Sequence, residues 1–241
     1  DQTSTITVSD NDAAPSINLT VADVTEGDAA SIQVSLSAAS EKTTSFDVVA
    51  SAGTATEGVD YTAFTQSVTL NPGQTSTTLT LSTLEDTTDE NDESVNLAFA
   101  NLVNLSANST VYSFAILDDD AAPAVSFAGQ TVNEGVGSFD VVFSLSEASA
   151  KDISFDVATA DGTADSSDYQ PVNTTLSIPA VSTTVSQSFG VLQDELDENN
   201  EAFSVNISNL TNTTAANASA NFTIVDDDGS PNISFNNVSA T

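Results

Sequence analysis

The sequence contains no cysteine, methionine, tryptophan or histidine, and its only basic side chains are Lys42 and Lys151, set against 35 Asp plus Glu for a net charge of −33 over 241 residues. Each absence excludes something. Without Cys no disulfide can form. Without Cys or His no nucleophile has its usual base partner, and both lysines fall in turn-like stretches, so enzymatic activity is not expected. The charge opposes binding to nucleic acid or to an anionic membrane surface. No apolar run approaches the ~20 residues of a membrane-spanning helix, and no basic segment followed by an apolar one marks a secretory leader, so direct membrane insertion is not expected. With no Trp and three Tyr, exposed aromatic platforms for a sugar or protein ligand are scarce. Sequons such as Asn18-Leu19-Thr20 and Asn206-Ile207-Ser208 are what chance supplies in a chain rich in Asn, Ser and Thr.

What is present argues for a folded, repeated chain. Disorder goes with low hydrophobicity, whereas 39% of these residues are hydrophobic and the mean hydropathy is −0.03. Three acidic triplets, Asp10-Asn11-Asp12, Asp118-Asp119-Asp120 and Asp226-Asp227-Asp228, recur at a spacing of 108 residues, each closing an apolar stretch and followed three residues later by Pro. The same spacing of 108 relates Glu26-Gly27 to Glu134-Gly135, Asp60-Tyr61 to Asp168-Tyr169, and Asp86, Asp89, Glu90 and Glu93 to Asp194, Asp197, Glu198 and Glu201. Between Glu26 and Asp60 the register slips, pairing Phe46 and Gly53 with Phe155 and Gly162 at 109, and then recovers. One loop gained a residue and another lost one. The expected organisation is therefore the end of a preceding module over 1–12, module 1 over 13–120, module 2 over 121–228 and the start of a following module over 229–241. Linkers this short predict modules set end to end.

Apolar residues alternate wherever they cluster: Ile32, Val34 and Leu36; Phe46 and Val48; Val68 and Leu70; Leu79 and Leu81; Val95, Leu97 and Phe99; Tyr112, Phe114 and Ile116. Period two predicts strands, about seven per module when Ile17 to Val21 is added, separated by turns such as Asn71-Pro72-Gly73. The second module repeats this with Val142, Phe143 and Leu145, Phe155 and Val157, Leu176 and Ile178, Val185, Phe189 and Val191, Phe203, Val205 and Ile207, and Phe222 and Ile224. No long amphipathic helix is indicated. The fold class expected is all-β: two tandem, seven-stranded, antiparallel immunoglobulin-like β-sandwiches.

The recurring carboxylates fall in turns or at strand ends, and a sandwich gathers its loops at two poles. Two like charges at ~4 Å repel by ~4 kcal/mol at the effective dielectric of a protein surface, so convergence requires a cation. Oxygen ligands without His or Cys select a hard cation, and mixed Asp and Glu on loops suit the 6 to 8 oxygens of Ca2+ better than the strict octahedron of Mg2+. One acidic loop residue is ordinarily a solvated charge; a set returning in register is read as a site.

These residues resemble the Calx-beta domain. The resemblance rests on Glu-Gly after the first strand, on Gly53-Thr54-Ala55 with Asp60-Tyr61 and Gly162-Thr163-Ala164 with Asp168-Tyr169, on the acidic run, and on the terminal Asp-Asp-Asp. It spans both modules and implies a seven-stranded immunoglobulin-like sandwich binding several Ca2+ per module in its distal loops. Carried over, the family's ligands in module 1 are Glu26, Asp60, Glu85, Asp86, Glu90, Glu93, Asp118, Asp119 and Asp120, with the Thr88 carbonyl. In module 2 they are Glu134, Asp168, Asp194, Glu198, Glu201, Asp226, Asp227 and Asp228, with the Leu196 carbonyl. Gln193 stands where module 1 has Glu85, removing a charge, so module 2 is expected to bind one ion more weakly or not at all; Asp10-Asn11-Asp12 departs from the pattern in a module mostly missing, and no complete site is expected there. Asp89 and Asp197 fall off the ligand positions and are expected to be solvated; Tyr61 and Tyr169 are expected to anchor their loop in the core.

The leading functional expectation is a calcium-dependent extender in a repetitive extracellular bacterial surface protein or adhesin. Its partners would be calcium ions and the neighbouring modules, with any external ligand unidentified, and ions near each triplet would stiffen the short linker. The alternatives are a Ca2+-dependent carbohydrate- or protein-binding adhesion module and a regulatory calcium sensor, as in the sodium/calcium exchangers of the same family.

Overall fold

The computed structural model describes residues 4–7, 9 and 11–235. Residues 1–3, 8 and 10, including Asp10 of the first triplet, and the last six residues of 229–241 lie outside the described residues. The chain divides into two compact units.

In the first unit, β1 (Ser16–Thr20), β2 (Val24–Thr25), β3 (Ala29–Leu36), β4 (Thr44–Ala52), β5 (Thr65–Leu70), β6 (Ser76–Ser82), β7 (Glu93–Val103), β8 (Ser106–Ala107) and β9 (Tyr112–Leu117) form two sheets, ordered β6-β3-β1-β8 and β2-β9-β7-β4-β5. Alternation decides which residues face inward: in β3, Ala30, Ile32, Val34 and Leu36 are buried while their neighbours are exposed. These and Phe46, Val48, Leu79, Leu81, Val95, Leu97, Phe114 and Ile116 make one core.

The second unit repeats the plan with β10 (Ala124–Ser126), β11 (Thr131–Asn133), β12 (Ser138–Leu145), β13 (Ile153–Ala160), β14 (Asn173–Ile178), β15 (Thr184–Gly190), β16 (Glu201–Thr211), β17 (Thr214–Ala215) and β18 (Ser219–Val225), in the orders β15-β12-β10-β17 and β11-β18-β16-β13-β14. Its core is richer in aromatics: Tyr169 stacks on Phe203 with centroids 4.2 Å apart, and Phe203, Phe222 and Phe189 continue the row. One inward assignment shifts by a residue. Val141, at 1% exposure, shares the inner face with Phe143 and Leu145, while Val142 is 49% exposed on the outer face.

The pairings are antiparallel except at four short pieces. The first strand of each unit is broken in two, and each half takes a different sheet: β1 pairs parallel with β8 and β2 parallel with β9, as β10 does with β17 and β11 with β18. The register slip is also located. Where the first unit turns through Gly27, at φ 73°, the second inserts a residue, forms the 3-10 turn Glu134–Val136 and moves the left-handed glycine to Gly137, at φ 73°. The residue is given back before the loop aspartate: the Thr56 N–H donates to Asp60 Oδ2 at 2.5 Å across three residues, and the Asp165 N–H donates to Asp168 Oδ2 at 2.7 Å across two.

Candidate metal centre

Strand direction brings the acidic segments to one end of each unit. Because β2 and β9 run parallel, with Val24 opposite Ile116 and Thr25 opposite Leu117, both end at the same pole. Glu26 continues the ladder by donating its N–H to the Leu117 carbonyl at 3.0 Å, which sets it beside Asp118-Asp119-Asp120. Antiparallel pairing of β7 with β9 starts β7 at that pole too, with Glu93 opposite Ile116. In the second unit Asn133 lies opposite Val225, so Glu134 meets Asp226-Asp227-Asp228, and Glu201 lies opposite Ile224.

The loop aspartate is fixed by its neighbours. Tyr61 and Tyr169, at 0% and 1% exposure, anchor the chain as expected, and the Asp60 and Asp168 carbonyls accept from the Leu84 and Leu192 N–H at 2.9 and 2.8 Å. Gly-Thr-Ala seats the start of β7 or β16. A side chain at Gly53 or Gly162 would run into the Ser94 or Ala202 carbonyl. The Ser94 and Ala202 N–H groups donate to Thr54 Oγ1 and Thr163 Oγ1, each at 2.8 Å, and Ala55 and Ala164 are fully buried. The motif thereby positions Glu93 and Glu201, one residue upstream.

In the first repeat three groups of carboxylates each place their oxygens within 4.8 Å of one another: Glu26, Asp86 and Asp120; Glu26, Glu85 and Asp119; and Asp60, Glu90 and Glu93. In the second repeat there are two such groups among the described residues, Glu134, Asp226 and Asp228, and Asp168, Glu198 and Glu201. Both contribute to one small cleft lined by Glu134, Asp168, Glu198, Glu201 and Asp226. Of the carboxylates carried over from the sequence, Asp118, Asp194 and Asp227 stand outside these groups. The Asp118 N–H donates to Asp92 Oδ1 at 3.2 Å, the Asp194 N–H to Glu134 Oε1 at 2.8 Å and the Leu196 N–H to Asp194 Oδ1 at 2.6 Å.

The donor set fits a hard divalent cation. Asp226 Oδ1 and Asp228 Oδ2 are buried and accept no hydrogen bond, which is costly for a carboxylate unless a cation satisfies it. Burial, then a hydrogen bond and the charge of Asp168, then Glu198 and Asp165, push the Glu201 carboxyl up to about 7. Burial and then neighbouring carboxylates, Asp194 first for Glu198 and Asp226 first for Asp228, raise both of those as well. A bound Ca2+ would supply the positive charge that keeps such groups ionised.

One position differs from expectation. Asp197 is exposed as a solvated charge should be, but Asp89 is buried at 3%. The stretch Thr88–Glu90 groups with the second compact unit. Within it Asp89 Oδ1 accepts from Lys151 Nζ at 2.7 Å and Asp89 Oδ2 from Ser149 Oγ at 2.7 Å. The lysine that answers it lies 62 residues away, beyond the reach of local sequence reasoning. Asp165 was missed altogether. It holds Asp168 and raises Glu201, but Thr56 takes its place in the first repeat, so repeat comparison carries no signal for it.

The Calx-beta domain model matches residues 10–120 and again 118–228. Comparison with curated proteins returns no match. Among solved structures, the apo form of the Calx CBD1 domain is 24% identical, with 45% of this chain and 100% of that one covered at a TM-score of 0.43. The two-domain CBD12 of CALX1.2 is 15% identical, covering 87% of this chain and 99% of that one at 0.43, and CBD12 of CALX1.1 is 17% identical, covering 84% and 96% at 0.40. The two successive matches account for nearly the whole sequence, and the chain belongs to the calcium-binding Calx-beta domain family, of which it carries two members in tandem.

Proposed function

We propose that these are calcium-dependent extender modules of a repetitive extracellular surface protein or adhesin, acting through bound Ca2+ rather than catalysis. The observation that carries the calcium reading is the convergence of carboxylates from four separate loops on one pole of each sandwich, with buried oxygens of Asp226 and Asp228 left for a cation. The ligands are the carboxylates of the five groups, joined by Asp118 and Asp194 and by the Thr88 and Leu196 carbonyls. Several ions per module account for that many oxygens. The extender reading is supported by the tandem repetition, by a charge that resists compaction without cations, and by the proline three residues after each triplet, which leaves a linker short enough for ions at the triplet to restrain.

Calorimetric titration of the chain with Ca2+, paired with small-angle scattering in calcium and in chelator, tests it. Dissociation constants on the order of 10⁻⁴ to 10⁻³ M suit an extracellular module, and values of about 10⁻⁷ to 10⁻⁵ M would point to a sensor instead. Identical scattering and melting with and without chelator would refute the extender role.

A further inference from the structure

We infer that Gln193 closes, in the second repeat, a calcium subsite that the first repeat keeps open, its amide standing in for the ion; this rests on the calcium reading above. In the first repeat Glu85 lies over Gly27, where any Cβ would strike its carboxylate, and from there it shares a group with Glu26 and Asp119. In the second, Gln193 lies over Gly135 in the same way: a Cβ there would come within 2.7 Å of Gln193 Oε1 and 2.9 Å of Asp227 Oδ2. Glu134 and Asp227 occupy the places of Glu26 and Asp119, so the single change at this position is carboxylate to amide.

The amide has a definite use. Gln193 Nε2 donates to Asp227 Oδ1 at 3.3 Å and to the Asp194 carbonyl at 2.9 Å. Both partners only accept, which requires the NH2 end of the side chain to face them. Two N–H bonds therefore occupy the space between Asp227 and the loop of Asp194, and their partial positive charge offsets the Asp227 carboxylate as a cation would. With the third carboxylate gone, the remaining charge attracts Ca2+ less, and an entering ion would also have to break the hydrogen bonds. The first repeat thus takes one ion more than the second. The Asp227 end of the second repeat is braced without calcium.

Calorimetric Ca2+ titration of the whole chain, with melting in chelator, tests this on the wild type, Gln193→Glu, Gln193→Ala and Glu85→Gln. The expected stoichiometry rises by one ion in Gln193→Glu, falls by one in Glu85→Gln and is unchanged in Gln193→Ala, while both Gln193 variants melt lower than wild type in chelator. A wild type that binds calcium with a stoichiometry that Gln193→Glu leaves unchanged would overturn the inference and spare the calcium reading. Unaltered melting of Gln193→Ala in chelator would remove the brace. No calcium binding by the wild type at all would bring down the reading and the inference together.

Discussion

Tyr61 and Tyr169 sit at matching positions and are both buried, yet their hydroxyls fare differently. Tyr169 donates to Asp161 Oδ1 at 2.5 Å, and burial followed by that bond lifts its ionisation to about 12; the Tyr61 hydroxyl is buried with no hydrogen-bond partner. Removing an unsatisfied polar group is close to neutral or stabilising, whereas breaking a satisfied one costs about 1 kcal/mol. Tyr61→Phe should therefore leave denaturant stability unchanged or raised, and Tyr169→Phe should lower it by about 1 kcal/mol. Glu201 gives a pH dependence at the same scale. Its folded value, about 7, lies above the ordinary 4.5, so in the calcium-free protein the folded state holds a proton that the unfolded state releases. That contribution is fully present below 4.5 and lost as pH rises through about 7. Glu198 and Asp228 shift in the same direction. Melting in chelator should fall between pH 5 and 7, and saturating Ca2+, by favouring the ionised form, should flatten or reverse the trend.

Among the elements, the parallel pairing of a broken first strand with the last strand does most to make the site. The period-two pattern of β3, β4, β7 and β9 was legible because each buries one face, and the same rule misassigned Val142 where two valines adjoin. Two-residue strands such as β8 and β17 are too short for any pattern to show. The Gly-Thr-Ala segment ties the loop that carries the aspartate to the first residues of β7 and β16. Gly162→Ala would push a methyl group into the Ala202 carbonyl, so a loss of about 1–3 kcal/mol in stability is expected from the forced shift. The shift also displaces Glu201, and weaker calcium binding by the second repeat, read by titration, should accompany it. Full calcium affinity in that variant would show that the segment supports packing alone.

For the molecule as a whole, electrostatics sets the terms. A net charge of −33 with two lysines means that the calcium-free fold works against its own repulsion. In chelator, raising NaCl should raise the melting temperature by screening; in saturating Ca2+ the dependence should be weaker, because the closest carboxylates are already neutralised. Ca2+ at 100 times its dissociation constant should stabilise by about 2.7 kcal/mol for each independent site. A melting temperature indifferent to both salt and calcium would contradict this account.

Sequence by itself determined the all-β class, the twofold repetition and the identity of the acidic residues, because alternation and a recurring spacing of 108 are properties of order along the chain. It also marked the Glu85 to Gln193 exchange. Only the tertiary structure decided which carboxylates meet, since that depends on strand direction: β2 and β9 run parallel, and so deliver Glu26 and Asp118-Asp119-Asp120 to one pole. The fate of Asp89 was settled in the same way. Whether a charge is solvated or buried depends on what the fold places opposite it, and for Asp89 that is Lys151, far along the chain.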